Sequence, residues 1–352
     1  MCHDARCCFI PPHVLTWLIN EGRDRERARA LATLTTDFGV RTARIQNAKR
    51  RGRGPREGAD MLATVAPPGP NRVITDAGHG WDVTAGRVVR GEGDPPAGDV
   101  DADEAYDGLG ATYDFFAEVF GRRSIVDEGM PLRGVVHFGV DYDNAFWDGR
   151  RMVFGDGDGF YFHRFTRDLD VIAHELGHGV TEDEAGLEYW GQPGALNESL
   201  SDVWGALVQQ RKEGQTAEQA SWLIGDALVN PDNFPGQAIR SMKEPGTAFD
   251  GDVQPSHCDG YVRTTEDNGG VHINSGIPNR AFYTVATALG GYAWERAGRI
   301  WYESTRHPNL RATATFSQFA RITVAVAQRL YGDGGEETRA VRHGWDTVGV
   351  TI

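Results

Sequence analysis

The pattern of apolar and polar positions in this chain of 352 residues changes about halfway along. Between about residues 70 and 165, short β-rich runs are separated by turn formers, which predicts strands. The clearest runs are 72–74, 134–140 and 151–154, and one helix is expected from about Asp103 to Phe120. After residue 168, apolar residues recur at helical spacing. We expect helices over 168–185, 195–212, 217–230, 275–290, 291–305 and 316–330.

A β-rich half followed by a helical half predicts an α+β fold with two domains. In front of them, residues 10–36 show helical periodicity after two prolines, which suit an extended lead-in and a helix start. Residues 48–58 are basic and rich in glycine and proline, so we expect an exposed linker where proteolysis concentrates. We therefore divide the chain into an N-terminal arm (1–60), a β-rich domain (61–187) and a helical domain (188–352).

Charge is distributed unevenly along the chain. Of 36 basic and 50 acidic residues, residues 1–58 contain 12 and 6, so this part carries +6 and the remainder −20. A basic arm on an acidic body predicts that the arm docks on the body; the alternative is a solvated basic tail. A body this acidic argues against nucleic-acid binding. No apolar run approaches the roughly 20 residues that span a bilayer.

The N-terminus carries three of the four cysteines, Cys2, Cys7 and Cys8. This spacing is not a disulfide framework. Residues 1–9 are polar and are followed by two prolines, which does not match a signal peptide. We therefore expect a protein made in the cytosol that stays in the cytoplasm or leaves by a non-classical route.

The run His174-Glu175-Leu176-Gly177-His178 carries the clearest chemistry. Residues i and i+4 of a helix share a face, so both imidazoles can bind one metal ion beside the carboxylate. This is the H-E-x-x-H arrangement of zinc hydrolases. Asp168 can cap the helix. Gly177 and Gly179 each cost about 1 kcal/mol relative to alanine, which suggests close packing or tight access near the metal.

A catalytic zinc site needs a third protein ligand. A metzincin would have a histidine at position 184, and Glu184 excludes that class. Glu198 and Asp202 share a face of a following helix, so one can bind the metal and the other can orient a ligand imidazole. A structural zinc site would need a fourth protein ligand, and none is obvious.

With these residues in place, the chain resembles the thermolysin-like zinc metallopeptidases (the M4 family, among the gluzincins) over most of residues 65–352. The runs that carry the resemblance are 144–147 (NAFW), 155–159 (GDGDG), 174–181 (HELGHGVT), 194–198 (GALNE), 240–242 (RSM) and 267–276 (DNGGVHINSG). The arm, with Cys8-Phe9-Ile10-Pro11-Pro12, resembles the short propeptide of the protealysin-like branch. The resemblance implies a two-domain thermolysin-like fold with its cleft between the domains, preceded by a short helical propeptide.

The resemblance also implies roles for the residues of the site. The zinc ligands would be His174, His178 and Glu198, and the general base Glu175. Tyr189 and His272 would donate hydrogen bonds to the oxyanion, with Asp267 orienting His272. Asp202 and Asn197 would support the ligand imidazoles.

Substrate contacts follow from the same resemblance. Asn144, Ala145 and Arg240 would hold the substrate backbone. The apolar pocket for the residue after the scissile bond would be lined by Phe162, Phe165, Val171, Ile224, Leu228 and Ile239. The block of the cleft by the arm would involve Cys7, Cys8, Phe9, Ile10, Pro11 and Pro12. We favour a steric block, with a cysteine thiolate as a possible additional zinc ligand.

The predicted protein is thus a zinc endopeptidase made as a zymogen, which cuts proteins and peptides before bulky hydrophobic residues. It would hold one catalytic zinc ion and at most one weak calcium ion, because Gln209 and Leu223 interrupt the family's calcium positions at Asp170 and Asp226. We expect a monomer inhibited by its own propeptide, without nucleic-acid or membrane partners. The alternatives are an aminopeptidase and a non-enzymatic zinc-binding interaction protein.

Overall fold

The computed structural model of the chain describes residues 8–51, 69–126 and 129–352. The helices are α1 (Pro12–Glu21), α2 (Asp24–Arg51), α3 (Val100–Phe120), α4 (Leu169–Glu184), α5 (Gly191–Glu213), α6 (Asp267–Asn274), α7 (Gly276–Leu289), α8 (Ala297–Thr305), α9 (Phe316–Tyr331) and α10 (Glu336–Thr347), with a short 3₁₀ helix at Cys258–Gly260. The strands are β1 (Val73–Asp76), β2 (Arg87–Gly91), β3 (Arg133–Val136), β4 (Ala145–Trp147), β5 (Met152–Phe154), β6 (Leu223–Ile224) and β7 (Arg240–Ser241). The β-rich half and the helical half predicted from the sequence are confirmed.

The N-terminal half is built on a mixed five-stranded sheet in the order β2-β1-β3-β5-β4. β1, β3 and β5 run parallel, whereas β2 and β4 pair antiparallel at the two edges. A second, two-stranded sheet pairs β6 with β7 and places Ile224 opposite Arg240.

Helix α4 connects the two halves. Asp168 caps it as predicted, accepting a hydrogen bond from the Asp170 amide at 3.2 Å. The helix is buried from Asp170 to Thr181 and packs against β4 on one side and α5 on the other. The helix that carries the H-E-x-x-H run is therefore held between the sheet and the helical half.

The described part of the arm joins the same core. Phe9, Ile10, Val14 and Leu15 are fully buried in the main hydrophobic cluster. Arg29 of α2 forms ion pairs with Asp141 and Asp143 of the body. The arm thus docks on the body, as predicted, but its docked segment 8–38 contains four basic and four acidic residues, so buried apolar side chains and the ion pairs of Arg29 account for the docking rather than net charge.

The structure differs from the predicted elements at several places. The predicted helix over 217–230 is wrong: the amides of Gly225 and Leu228 donate to the buried carboxylates of Asp170 and Asp168 instead of to helical carbonyls. The strand predicted over 134–140 ends at Val136, because His137 adopts a left-handed φ of 54°.

The remaining differences lie at element ends. Residues 48–51, predicted as linker, belong to α2, and 52–58 lie outside the described residues. The helix predicted over 291–305 starts at Ala297, and α10 was not predicted. Among the described residues, no helix is both long and apolar enough to cross a membrane.

Candidate metal centre and active-site cleft

The metal centre begins with the two histidines of α4. One helical turn brings the Nε2 atoms of His174 and His178 to 3.1 Å from each other. Their Nδ1 atoms face away, towards Asp202 Oδ1 at 2.8 Å and Asn197 Oδ1 at 2.7 Å. With Nδ1 held by these oxygens, both Nε2 atoms are oriented towards one point.

Helix α5 supplies the third side chain. Glu198 Oε2 lies 3.6 Å from His174 Nε2, and Glu198 Oε1 lies 3.6 Å from His178 Nε2. In a tetrahedral zinc site with bonds of ~2.1 Å, the ligand atoms lie at the corners of the tetrahedron, about 3.4 Å from one another. The donor set and its spacing therefore fit a zinc ion.

Electrostatics favour the ligand states of these side chains. Burial lowers the pKa of His178 to about 4, so its imidazole is neutral at pH 7. Burial opposes ionisation of Glu198, but the neighbouring His272, His178 and His174 hold its pKa at about 2. Neutral imidazole and ionised carboxylate are the forms that bind a metal.

Asp202 connects the metal centre to the rest of the cleft. Besides His174, its carboxylate accepts hydrogen bonds from Arg240 Nη2 at 2.9 Å and Asn279 Nδ2 at 2.8 Å. Burial works against its charge, but Arg240 and His174 hold the pKa of Asp202 well below its usual range. Asn279 was missed in the sequence, because only folding brings α7 against α5.

Glu175 projects from α4 beside the two histidines and is fully buried. The Trp147 amide of β4 donates to Glu175 Oε2 at 2.8 Å. This bond fixes the carboxylate at the junction of the sheet and the helix.

A second group of side chains surrounds Glu198. It consists of Tyr189, His272 and Asp267. The Tyr189 hydroxyl donates to Glu198 Oε1 and lies 3.4 Å from His272 Nε2. Asp267 Oδ1 lies 2.5 Å from His272 Nδ1, and Asp267 Oδ2 accepts from the His272 amide at 2.9 Å. The four residues 267–270 all have positive φ, so the turn folds the carboxylate back onto the imidazole.

The cleft is filled by the arm. Phe9 N donates to Ala145 O at 3.0 Å, and Arg240 Nη1 donates to Phe9 O at 3.2 Å. Asn144 Oδ1 accepts from Ile10 N at 2.8 Å, and Asn144 Nδ2 donates to Ile10 O at 3.2 Å. The arm backbone therefore pairs with all three groups that the resemblance assigns to the substrate backbone.

The Phe9 ring is buried next to the metal centre. It meets His174 edge-on, with the ring centroids 5.3 Å apart, and the Arg240 guanidinium lies 4.7 Å from its centroid. A Cβ at Gly225 would lie 3.2 Å from Phe9 Cε1 and 2.8 Å from Ile239 Cγ1, so only glycine leaves room for the ring. Gly225 was missed because a glycine in a loop has no distinctive sequence signal.

The predicted pocket residues all lie in the same hydrophobic cluster as Phe9. Phe162, Phe165, Val171, Ile224, Leu228 and Ile239 are all fully buried in the core cluster that contains Phe9.

Comparison with known proteins agrees with this geometry. Residues 44–182 match the family model of the thermolysin metallopeptidase catalytic domain, and residues 185–350 match the model of its alpha-helical domain. Together these matches cover most of the chain. The chain belongs to the thermolysin family of metallopeptidases.

Individual relatives extend the match through the arm. An "Extracellular metalloprotease" of Pectobacterium carotovorum subsp. carotovorum is 50% identical over 351 residues, which cover 98% of this chain and 97% of the relative. The precursor of protealysin from Serratia proteamaculans has a TM-score of 0.85 at 46% identity, over 98% of this chain and 100% of that one. A thermolysin of Alicyclobacillus acidocaldarius subsp. acidocaldarius is 38% identical over 72% of this chain and 46% of its own length.

The chain is thus a zinc metalloendopeptidase of the thermolysin family in its precursor form. This confirms the resemblance, the fold and the enzyme class predicted from the sequence. The expected location is wrong: the relative that matches 98% of the chain is named an extracellular protease, which contradicts a cytoplasmic protein.

The cysteines and prolines of the arm were also predicted to take part in the block of the cleft. Cys8 is buried against apolar side chains that include Val135, Phe138 and Phe146, whereas Cys7 lies outside the described residues. Pro11 is buried, and Pro12 opens α1.

The predicted calcium positions Asp170, Gln209, Leu223 and Asp226 line one pocket of about 330 Å³. Asp168 lies beside Asp170 and Asp226. Burial raises the pKa of all three carboxyl groups, that of Asp168 to about 6.

Proposed function

We propose that the mature enzyme cleaves proteins and peptides before a bulky hydrophobic residue. The observation that carries this proposal is the position of Phe9, whose backbone pairs with Ala145 and Arg240 while its ring is buried beside Gly225 and Ile239. A substrate bound in the same way would place its own apolar side chain there. Phe162, Phe165, Val171, Ile224, Leu228 and Ile239 are proposed as the walls of this pocket.

His174, His178 and Glu198 are proposed to hold the single zinc ion, oriented by Asp202 and Asn197. When bound, zinc supplies a Lewis acid and lowers the pKa of water towards ~7. Glu175, held by the Trp147 amide, takes the proton of the attacking water and delivers it to the leaving amine.

The oxyanion that forms at the substrate carbonyl needs hydrogen-bond donors. Tyr189 and His272 are proposed for this role, because their side-chain ends lie 3.4 Å apart beside Glu198. Asp267 keeps His272 oriented through Nδ1. One such donor is typically worth about 3–4 kcal/mol in the transition state.

The arm is proposed to act as an intramolecular inhibitor. Phe9 and Ile10 fill the positions that a substrate backbone would need, with Pro11 and Pro12 leading the chain away into α1. The arm, residues 1 to about 60, would be removed by cleavage in or just after the basic stretch 48–58, which would free the two catalytic domains proposed at 61–187 and 188–352.

The block is proposed to be steric. A precursor carrying Cys7→Ser and Cys8→Ser tests whether a thiolate contributes as a zinc ligand. Undiminished latency of this variant would remove the thiolate from the account, whereas higher activity before processing would add it.

We also propose a location, an oligomeric state and a limit on calcium binding for the mature enzyme. The mature enzyme would act outside the cell, as the name of the extracellular metalloprotease of Pectobacterium carotovorum suggests, and as a monomer. The net charge of −20 over residues 59–352 disfavours nucleic-acid and anionic membrane partners. Asp170 and Asp226 would support at most one weak calcium site, because Gln209 and Leu223 supply no carboxylate to the pocket.

The preference is tested by digesting denatured proteins with the arm-free enzyme and identifying the new N-termini by mass spectrometry. Most new N-termini should be leucine, isoleucine, phenylalanine or valine. A dominant charged or small residue at that position would contradict the proposed pocket.

A further inference from the structure

Arg29 of the arm is bound by the body through several hydrogen bonds. Its Nε and Nη2 donate to the two carboxylate oxygens of Asp143 at 3.2 and 2.8 Å. Nη2 also donates to Gly157 O at 3.0 Å, and Nη1 pairs with Asp141. Such a bidentate arrangement is specific for a planar guanidinium and would suit lysine poorly.

The acceptors of Arg29 all belong to the catalytic body. The Asp143 side chain is only 4% exposed beneath the arm, whereas Asp141 at the rim is 52% exposed. Asp158 adds a third negative charge near Arg29, and its carboxylate is held by the amides of Phe160, Tyr161 and Phe162. When the arm leaves, these acceptors remain on the body.

This cluster adjoins the substrate cleft. Asp143 immediately precedes Asn144, whose amide group pairs with both backbone groups of Ile10. If Phe9 marks the residue after the scissile bond, Ile10 marks the next one. The guanidinium of Arg29 therefore lies on the leaving-group side of the cleft, near the second residue or those beyond it.

We propose that Asp141, Asp143 and the Gly157 carbonyl form an arginine-binding subsite in the mature enzyme, which favours substrates with arginine on the leaving-group side of the scissile bond. In the precursor, Arg29 occupies this subsite as Phe9 occupies the apolar pocket. The inference rests on the proposed function, because it takes the arm as a guide to how substrates bind.

Charge is consistent with this assignment. Burial under the arm raises the pKa of Asp143 to about 7 even with Arg29 alongside. Exposure of the carboxylate to water after departure of the arm would remove this cause of the raised pKa, so that the free subsite would be anionic at neutral pH. The net charge of −20 over residues 59–352 would attract cationic substrates further.

The test compares fluorogenic peptides that differ at one position. Each has leucine after the scissile bond and carries either arginine or citrulline, its uncharged near-isostere, at the second, third or fourth position after that bond. At one of these positions the arm-free enzyme should have a kcat/KM about tenfold higher for arginine than for citrulline, as expected for hydrogen bonds to a charged group.

Variants identify the groups responsible. Asp143→Asn should abolish the preference for arginine over citrulline, and Asp141→Asn, at a more exposed position that tolerates substitution, should reduce it. Asp107→Asn makes the same charge change at a side chain that is 74% exposed on α3, and should keep the full preference.

The possible results distinguish failure of the arginine subsite from failure of the proposed function. Equal kcat/KM for arginine and citrulline at all three positions, or a preference that survives Asp143→Asn, would overturn the subsite and leave Asp143 as an anchor for the arm. Failure to cleave any of the peptides would instead overturn the proposed function.

Discussion

Two glycines allow α4 to approach its neighbours closely. A Cβ at Gly177 would lie 2.9 Å from Trp204 Cδ1, and a Cβ at Gly179 would lie 2.3 Å from Ile125 Cγ2. The close packing suggested by these glycines in the sequence is thus confirmed. The conformational cost of glycine in a helix is accepted here because a larger residue would displace the helix that carries the metal centre.

Gly179→Ala should therefore destabilise the protein by about 1–3 kcal/mol through overpacking. Urea unfolding of the full-length chain in an inactive Glu175→Gln background measures this without self-digestion. Gly334→Ala is the matched control, because a Cβ there meets nothing within 4 Å. Equal unfolding midpoints for the two variants would contradict the packing argument.

Asp202 connects the metal-binding side chain of His174 to Arg240, which lines the cleft. Asp202→Asn removes the charge that faces His174 and Arg240 while keeping the size of the side chain. Zinc affinity should fall at least about tenfold, as is usual for such supporting carboxylates. Competition with a chromogenic chelator measures the affinity, with Asp333→Asn as a surface control. Unchanged affinity would show that Asp202 does not orient His174.

At the residue scale, the sequence predicts what lies close in the chain. His174 and His178 are one turn apart, and Glu198 follows on the next helix, so their convergence was predictable. Arg29 lies 114 residues before Asp143, and Asn279 lies 77 residues after Asp202. No local pattern connects such pairs, because only the folded chain makes them neighbours.

At the scale of elements, periodicity predicted the long helices well and the short ones poorly. Helix α4 agrees with its apolar spacing, whereas the predicted helix over 217–230 fails where backbone amides bind Asp168 and Asp170. In this segment, hydrogen bonds to the buried carboxylates, which are distant in the sequence, outweigh the local preference for helix. The same reason explains why the loop carrying Gly225, which leaves space for Phe9, was unpredictable.

His137 joins three separate elements of the N-terminal half. Its Nδ1 lies 2.9 Å from Asp156 Oδ1 after β5, and its Nε2 lies 3.0 Å from Asp99 Oδ2 at the cap of α3. The hydrogen bond to Asp156 is the main cause that raises the pKa of His137 to about 10; burial opposes it and Asp99 adds to it. The charged ring therefore links the sheet to α3.

Because the folded pKa of His137 lies above its unfolded value of ~6.5, its stabilisation is complete below about pH 6.5 and is lost as pH rises through about 10. His137→Gln should lower the free energy of unfolding by about 1.5–3 kcal/mol at pH 6. The difference from the parent chain should shrink towards pH 10. Urea unfolding in the Glu175→Gln background at several pH values measures it, with the exposed His343→Gln as control. A difference that is constant with pH would contradict the charged state of His137.

The arm segment with Phe9 allows a direct test of latency. Phe9→Ala removes a fully buried ring worth about 1.5–3 kcal/mol, so the unprocessed precursor should be about 10–100 times more active. Initial rates are measured before gel electrophoresis detects any processed chain. Phe38→Ala makes the same change on α2 at a side chain that is 72% exposed, and should remain latent. A latent Phe9→Ala precursor would mean that other arm contacts close the cleft.

At the scale of the whole molecule, the body holds an apolar segment of its own N-terminal arm in its cleft. Phe9 and Ile10 contact the groups proposed to bind substrate, and Arg29 extends the contact to Asp141 and Asp143. The charge asymmetry led to the expectation of docking, but the docked segment 8–38 has no net charge, and buried apolar side chains with the ion pairs of Arg29 hold it in place. The arm is therefore proposed both as an inhibitor and as a guide to how substrates bind.

The central claim is that Glu175, beside a zinc ion held by His174, His178 and Glu198, performs peptide hydrolysis. The most direct measurement is the cleavage of a leucine-containing peptide by the arm-free enzyme, by the same enzyme with 1,10-phenanthroline, and by its Glu175→Gln variant with its zinc content determined. We expect the chelator to abolish activity and the variant to retain zinc but to lose about 10²–10⁴-fold in kcat. Full activity of a zinc-loaded Glu175→Gln enzyme would contradict it.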